Sequence, residues 1–299
     1  MAKKNQTNSN QVPVQKTYKL YINGAFPRTE SGRYKDLRKS NGDLIANLCW
    51  ASRKDFRNAV VAARKAQAGW HGRTAYNRSQ IIYRMAEMLQ QKESLFVDEM
   101  LQMGYSEKAA KTEFDESVEY LVYYAGWCDK YVQVYSTVNP VSGSYFNFSL
   151  PEPMGVVAAM ASDKTALIGF LEAIIPVIVS GNAVVVLASE KMPVSAMSFA
   201  EVLATSDLPG GVINILTGNR SELLMQFASH MDVNAFLIWD ASSADAIEIG
   251  GYAAENVKRI KMYESAEKGA LSLKRITDTV EVKTTWHPIE RIASSGKAY

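Results

Sequence analysis

The sequence is poor in the residues that build metal centres and disulfide frameworks. Two cysteines, Cys49 and Cys128, and three histidines occur in 299 residues, and they are far apart along the chain. Neither cysteine belongs to a CxxC pair. This spacing argues against a structural zinc site, and we expect no metal centre. Each cysteine is better explained as a small apolar filler of the core than as a nucleophile.

Long apolar runs are also missing, and charges of the two signs nearly cancel. The longest candidate span, 166–179, is interrupted by Glu172 and is too short to cross a bilayer. Residues 1–16 contain lysines but no apolar segment, which favours a flexible tail over a secretory signal. A net charge of +2 gives no electrostatic basis for binding nucleic acid or an anionic membrane. These features predict a cytoplasmic protein with neither partner.

The first half of the chain predicts a hairpin followed by a helical layer. Asn23-Gly24, within YKLYINGAFPRT, supplies the positive φ angles of a type I′ turn. Apolar residues at helical spacing then predict three helices, over 52–66, 80–101 and 106–131. Residues 133–150 read instead as two strand-like pieces, which predict a β-ribbon projecting from the helices.

Strands and helices alternate regularly from Gly155 onward. Continuous apolar runs predict strands that are covered by helices on both faces, at 156–161, 183–187, 212–216, 235–239 and 259–263. The predicted fold class is therefore α/β, with a doubly wound, Rossmann-like parallel sheet. Folds of this kind bind ligands outside the carboxyl ends of their strands, which directs attention to the turn 162–165.

The last predicted strand, TDTVEVKTTWH at 277–287, alternates between two faces. Four residues share one face, namely Val280, Val282, Thr284 and Trp286. An isolated strand is not stable alone. We expect it to pair with the ribbon at 133–150 or with another chain.

Several segments, in order, are similar to stretches of one protein family. YINGAF, AVVAARKAQAGW, YYAGWCDKY, PVIVSGNAVVVLASE and DLPGGVINILTG together resemble the aldehyde dehydrogenase superfamily from residue 18 to 264. Members are longer by about one domain, so the chain looks like a shortened member without the catalytic domain. The resemblance implies a cofactor-type domain at 17–132 and 151–264, an oligomerisation element at 133–150 and 277–290, and a linker at 265–276.

The resemblance also implies which positions would carry chemistry, and these positions differ here. Lys164 stands where the family has the asparagine that stabilises an oxyanion. Tyr263 stands at the position of the general base, with Glu264 one residue later. The nucleophilic cysteine has no counterpart. We therefore predict no catalytic residues and regard Lys164 and Tyr263 as degenerate positions.

Cofactor contacts are only partly kept. Ser189, Glu190 and Gly218 are the residual positions that the resemblance implies for binding NAD(P). Trp239-Asp240 replaces a segment that receives the pyrophosphate at a helix start. We expect Asp240 to cap that helix with its own carboxylate and to repel phosphate. The sequence thus predicts no binding of NAD(P), or weak binding.

Three functions remain open at this point. The first is a non-catalytic subunit that assembles with itself or with a full-length aldehyde dehydrogenase. Its contacts would come from the terminal strand, through Val280, Val282, Thr284 and Trp286, and from the ribbon, through Tyr145, Phe146 and Phe148. The second is an NAD(P)-binding oxidoreductase that acts on the aldehyde or oxo group of donors and uses Lys164, Tyr263 or Glu264 in acid/base chemistry.

The third function is a ligand sensor that uses the same cleft for another molecule. It predicts a pocket lined by Lys164, Glu190, Arg220 and Trp239. Arg220 belongs to Asn219-Arg220-Ser221, which replaces a glycine-rich continuation in the family.

Overall fold

The computed structural model describes residues 16–39, 41–265 and 271–289. Nearly all of the predicted tail, part of the predicted linker and residue 290 of the oligomerisation element lie outside these ranges. The N-terminal part contains β1 (Thr17–Tyr18), β2 (Tyr34–Arg38), β3 (Leu44–Cys49), α1 (Arg53–His71), α2 (Ala75–Gln90), α3 (Glu93–Gln102), α4 (Glu107–Ala125) and α5 (Tyr131–Tyr135). A ribbon of β4 (Thr137–Asn139) and β5 (Tyr145–Pro153) follows.

The second part alternates strands with helices. Its elements are β6 (Val156–Met160), α6 (Ile168–Val179), β7 (Ala183–Leu187), α7 (Val194–Ala204), β8 (Ile213–Leu216), α8 (Arg220–Ser229), β9 (Ala235–Trp239), α9 (Ser243–Ala254) and β10 (Arg259–Tyr263). A short helix, α10 (Lys274–Thr277), and β11 (Val280–Pro288) complete the described chain.

The central sheet is parallel and has the order β10-β9-β6-β7-β8. Every residue of β6, β7, β8 and β9 is buried, as expected when helices cover both faces. One core contains residues from α2, α4, α6 and α7, and a second contains residues from α1, α8 and α9. The predicted doubly wound, Rossmann-like fold with an N-terminal helical layer is confirmed.

Helix α6 is buried at every one of its 12 residues, because it lies between the sheet and the helical layer. This position explains its apolar sequence, which a membrane span would also show. Within the described ranges, no helix has both the length and the hydropathy needed to cross a bilayer.

Two predicted helix boundaries were wrong. The segment 80–101, expected to form one helix, forms two. Helix α2 ends at Gln90 and α3 begins at Glu93, and Lys92 between them has non-helical backbone angles (φ −107°, ψ 18°). The helix expected over 106–131 ends at Ala125, and part of the predicted ribbon forms α5 instead. In both places the apolar spacing continues through the turn, because the helices on either side pack against the same core.

The predicted hairpin turn is confirmed. Asn23 and Gly24 have φ angles of 56° and 75°, and Ile22 and Ala25 exchange two backbone hydrogen bonds of 3.0 Å. These positive angles are costly for most residues, which is why Asn-Gly marks the turn in the sequence.

The ribbon forms a three-stranded sheet with the order β11-β5-β4. The nine residues of β11 pair antiparallel with β5 of the same chain, from Val280 opposite Pro153 to Pro288 opposite Tyr145. In this register Tyr145 shares a face with the four β11 residues predicted to lie together, namely Val280, Val282, Thr284 and Trp286. The ring centroids of Tyr145 and Trp286 are 5.7 Å apart. Phe146 and Phe148 lie on the opposite face, so the predicted contact set is divided between two surfaces.

A buried carboxyl group fixes β1 to the helical layer. Glu99 of α3 accepts a hydrogen bond of 3.0 Å from the Tyr18 hydroxyl and another from the Ser198 hydroxyl. Its second oxygen is buried and has no hydrogen-bond partner among the described residues. Burial raises the pKa of Glu99 to about 7, because the effect of burial is larger than the opposite effect of the two hydroxyl donors.

This pKa predicts a specific pH dependence of stability. Because the carboxyl group binds a proton more tightly in the folded state, its contribution is present at low pH and lost as the pH rises through about 7. We expect the free energy of unfolding to fall between pH 5 and pH 8 for this reason. In urea titrations across this range, Glu99→Gln should show a flatter profile. An unchanged slope would contradict the assignment.

Candidate functional site

Asp240 lies at the centre of a polar cluster at the carboxyl edge of the sheet. Its carboxylate accepts hydrogen bonds from the Lys164 ammonium (2.7 Å) and the Ser162 hydroxyl (2.8 Å). The Ser265 backbone amide (3.1 Å) and the Ser265 hydroxyl also donate to it. Partial burial would raise the pKa of Asp240, but these donors outweigh burial and hold it at about 2.

The expectation that Asp240 caps the following helix was wrong. Helix α9 is capped by Ser242, whose hydroxyl accepts from the Asp245 amide at 3.1 Å. Asp245 in turn accepts from the Ser242 amide at 2.9 Å, which completes a capping box. Asp240 lies two residues earlier with a φ of 53°, a left-handed conformation that aims its carboxylate at the β6 turn.

A second carboxylate, Asp163, belongs to the turn after β6 and binds the turn after the neighbouring strand β7. It accepts hydrogen bonds from the Ser189 hydroxyl (2.8 Å) and the Glu190 amide (2.7 Å). The Ser189 oxygen also accepts from the Met192 amide at 2.9 Å. Ser189, a predicted cofactor contact, is therefore engaged within the protein.

The third carboxylate, Glu190, lies against the first turn of α8. It accepts from the Arg220 amide (3.1 Å) and the Asn219 side-chain amide (3.4 Å), and its oxygen is 3.3 Å from the Lys35 ammonium. A helix N-terminus attracts anions, and here the anion belongs to the protein.

Gly218, the remaining predicted cofactor contact, is buried in the turn before α8. A Cβ atom at this position would lie 3.0 Å from Leu223 Cδ1 and 3.6 Å from Ala51 Cβ. The absence of a side chain at Gly218 therefore allows the turn to pack closely against Leu223 of α8.

Arg220 bridges two strands of the sheet. Its guanidinium donates to the carbonyl oxygen of Ala161 (3.1 Å), just after β6, and to that of Trp239, at the end of β9. Strands β6 and β9 are neighbours, whereas the chain continues from β6 to β7 on the other side. The guanidinium therefore lies at the topological switch point, where ligands of such folds bind. Burial lowers the pKa of Arg220, although surrounding carboxylates favour its charged form.

Trp239 and Tyr263 belong to a separate, buried cluster. The completely buried Trp239 ring donates to Glu172 (3.2 Å), and its centroid lies 4.7 Å from that of Tyr263. The Arg275 guanidinium, from α10, covers the Tyr263 ring at 3.8 Å. The Tyr263 hydroxyl donates to Asp278 (2.9 Å), and burial and this carboxylate raise its pKa.

The structure thus separates residues that the sequence grouped. Lys164 forms an ion pair with Asp240, whereas the Tyr263 hydroxyl is hydrogen-bonded to Asp278, so these two residues do not form an acid/base pair. The predicted pocket of four residues is also divided. Lys164, Glu190 and Arg220 lie at the carboxyl edge of the sheet and bond to protein groups, while the Trp239 ring is buried elsewhere.

Three residues of the site were missed as contacts from the sequence, namely Ser162, Asp163 and Ser265. Asp163 and Asp240 each follow a parallel strand, and parallel strands end at the same edge of a sheet. That positional rule was a signal for their proximity. The same rule applies to Ser265, which follows β10, the parallel neighbour of β9.

No group of three metal-ligating side chains occurs in the part of the chain that the structure describes. Both cysteines are buried with free thiols, and burial raises the pKa of Cys128 to about 12. A thiol of this kind is protonated at neutral pH and is a poor nucleophile.

Comparison with known proteins identifies the family. The sequence matches the aldehyde dehydrogenase family over residues 26–284. The chain belongs to the aldehyde dehydrogenase family. Among its relatives, the mitochondrial benzaldehyde dehydrogenase of Antirrhinum majus is 30% identical over 256 residues, which cover 84% of this chain and 47% of that protein. The mitochondrial aldehyde dehydrogenase family 2 member B4 of Arabidopsis thaliana is 29% identical, with 81% and 46% covered.

Solved structures of aldehyde dehydrogenases have the same fold. The NAD+ complex of an aldehyde dehydrogenase from Bacillus cereus matches with a TM-score of 0.79 and 24% identity, over 83% of this chain and 51% of that one. The chain spans about half the length of the curated aldehyde dehydrogenases it matches.

Proposed function

We propose that this protein is a non-catalytic aldehyde dehydrogenase homologue, which acts as a structural or regulatory subunit in the cytoplasm. It would assemble with a full-length aldehyde dehydrogenase or with itself, and bind NAD(P) weakly or not at all. One observation carries the proposal. Asp163, Glu190 and Asp240 already accept hydrogen bonds from the donors at the carboxyl edge of the sheet.

Weak cofactor binding follows from this arrangement. Amides at helix starts and strand ends are the groups that hold phosphate in such folds. A phosphate would have to displace a carboxylate from each donor, and the displaced carboxylates would repel it. The bonded carboxylates are held in place by the fold and cost little further entropy to keep there.

Assembly is supported by the β11-β5-β4 sheet. Strand β11 is an edge strand, which offers unpaired backbone groups to another strand. Val282 is 68% exposed and Trp286 is 58% exposed on one face. On the other face, Val138, Phe146 and Leu150 are also exposed. Apolar side chains grouped on both faces of a projecting sheet favour a partner that covers them.

The alternative is an NAD(P)-binding oxidoreductase with degenerate site residues. It is favoured by the fold that this chain shares with an NAD+ complex. Lys164, Tyr263 and Glu264 remain the residues through which it would act. Calorimetric titration separates the two functions, because the subunit proposal expects a dissociation constant for NAD and NADP above about 1 mM. Micromolar binding of either would favour the oxidoreductase.

Assembly is tested by size-exclusion chromatography with light scattering, alone and with a full-length aldehyde dehydrogenase from the source cell. The wild type should elute as an oligomer or co-elute with that enzyme. Val282→Ser with Trp286→Ser should abolish the association, since both side chains lie on one exposed face. The matched control is Lys283→Ser with Thr285→Ser, on the opposite face of the same strand. A wild-type monomer that retains no partner would refute the proposal.

A further inference from the structure

The Arg220 guanidinium fills the space between the ends of β6 and β9, the switch-point crevice, and its neighbours there are hydrogen-bond acceptors. The carbonyl oxygens of Ala161 and Trp239 end two neighbouring strands, and both accept from the guanidinium. Burial lowers the pKa of Arg220, and four carboxylates oppose this by favouring its charged form, those of Asp163, Asp240, Asp245 and Glu190. Two carbonyl acceptors and four anionic groups make a favourable environment for a cation and a poor one for a phosphate.

The crevice is filled by a side chain and not by the backbone. Strands β6 and β9 stay regularly paired up to Met160 opposite Ile238, just below the two carbonyls. Arg220 enters from the first residue of α8, whose cap is supplied independently by Asn219, the acceptor for the Glu222 amide at 2.8 Å. Shortening Arg220 would therefore vacate the crevice while leaving the strands and the helix start intact.

We propose that the switch-point crevice has become a guanidinium site, and that Arg220 is its internal ligand. This inference rests on the proposed function, because it explains how a site of this fold is closed to anionic dinucleotides. Planar guanidinium groups present parallel N–H donors, which suits two carbonyls held side by side by a parallel sheet. The Lys164 ammonium does not compete for them, since Asp240 binds it at 2.7 Å.

The experiment is chemical rescue of Arg220→Ala by methylguanidinium chloride at millimolar concentration. The melting temperature of the variant should be below that of the wild type and should rise, with saturation, on addition of methylguanidinium. Methylammonium chloride at equal concentration should give no such rise, because it lacks the planar pair of donors. Calorimetry should show at least tenfold tighter binding of methylguanidinium to the variant than to the wild type.

A matched control is Arg33→Ala. Arg33 also contacts α8, through a paired interaction with Glu222 (2.8 and 3.1 Å), but it lies outside the crevice. Its melting temperature should not respond to methylguanidinium. If Arg220→Ala is unfolded without the cation, recovery of its native circular dichroism on refolding with methylguanidinium becomes the readout.

Two results would overturn the inference. One is an equal response of Arg220→Ala and Arg33→Ala to methylguanidinium. The other is tighter binding of NAD than of methylguanidinium to Arg220→Ala, which would mean that the crevice still prefers an anionic dinucleotide. Both results are measured on the variants and test the guanidinium site alone. The subunit proposal is tested separately, on the wild-type protein, and fails if that protein binds NAD or NADP tightly.

Discussion

Replacing Glu113 with alanine is expected to lower the free energy of unfolding by about 3–5 kcal/mol. Glu113 lies on α4 and is buried. One of its carboxylate oxygens accepts from the backbone amides of Ala166 (3.0 Å), Leu167 (2.7 Å) and Ile168 (3.1 Å). The N-cap residue of α6, Leu167, supplies no side-chain acceptor, so the Glu113 carboxylate serves the amides where the helix begins, and the Thr165 hydroxyl accepts from the next one, Gly169, at 3.0 Å.

The size of the effect follows from where these amides are. The amides of Leu167 and Ile168 would lose their acceptor inside the core, whereas the Ala166 amide would keep the Tyr105 hydroxyl at 3.0 Å. Each buried unsatisfied donor costs about 1–3 kcal/mol. Urea unfolding followed by circular dichroism measures the change. Glu113→Gln keeps an acceptor oxygen and should lose less. Glu116→Ala, one turn along on the exposed side of α4, should be close to neutral. A loss below 1 kcal/mol for Glu113→Ala would contradict this account.

Replacing Trp239 with alanine is the second change with a large expected effect, about 3–5 kcal/mol of stability. The side chain is completely buried at the end of β9 and donates to Glu172 at 3.2 Å. Its ring also contacts Tyr263, with centroids 4.7 Å apart, and lies 5.3 Å from the Arg275 guanidinium. Truncation would leave a large cavity between the sheet, α6 and α10, and would remove these ring contacts.

Trp239→Phe separates the two contributions. It retains an aromatic ring against Tyr263 but lacks the indole N–H, so it should lose less than the alanine variant. Thermal and urea unfolding followed by circular dichroism measure both variants. If the alanine variant were as stable as the phenylalanine variant, the ring contacts would contribute nothing.

The central sheet could be predicted because its strands are continuous apolar runs separated by helical spacing. The strand at 183–187 was located to the residue, since all five side chains are buried on both faces. The turn at Asn23-Gly24 was equally readable, because the residue types themselves specify positive φ. Such local signals do not depend on distant parts of the chain.

The site was less predictable, because its geometry depends on partners far away in sequence. Asp240 was expected to cap α9, yet Ser242 competes with a complete capping box, and Asp240 instead meets Ser162, Lys164 and Ser265. Nothing local to residue 240 distinguishes these outcomes. The break after α2 was invisible for a related reason, since one apolar period continues through it into α3.

The pairing of β5 with β11 has a consequence for biosynthesis. Ser149 and Thr284, whose hydroxyl groups lie 2.8 Å apart across these strands, are 135 positions apart in sequence. During translation, β5 is therefore synthesised long before β11. The edge of β5 that pairs with β11 has no partner strand while the ribosome makes the five strands of the parallel sheet, β6 to β10. Unpaired strand edges on incomplete chains are prone to aggregation. This edge of β5 is therefore open to pairing with other strands until β11 has been synthesised.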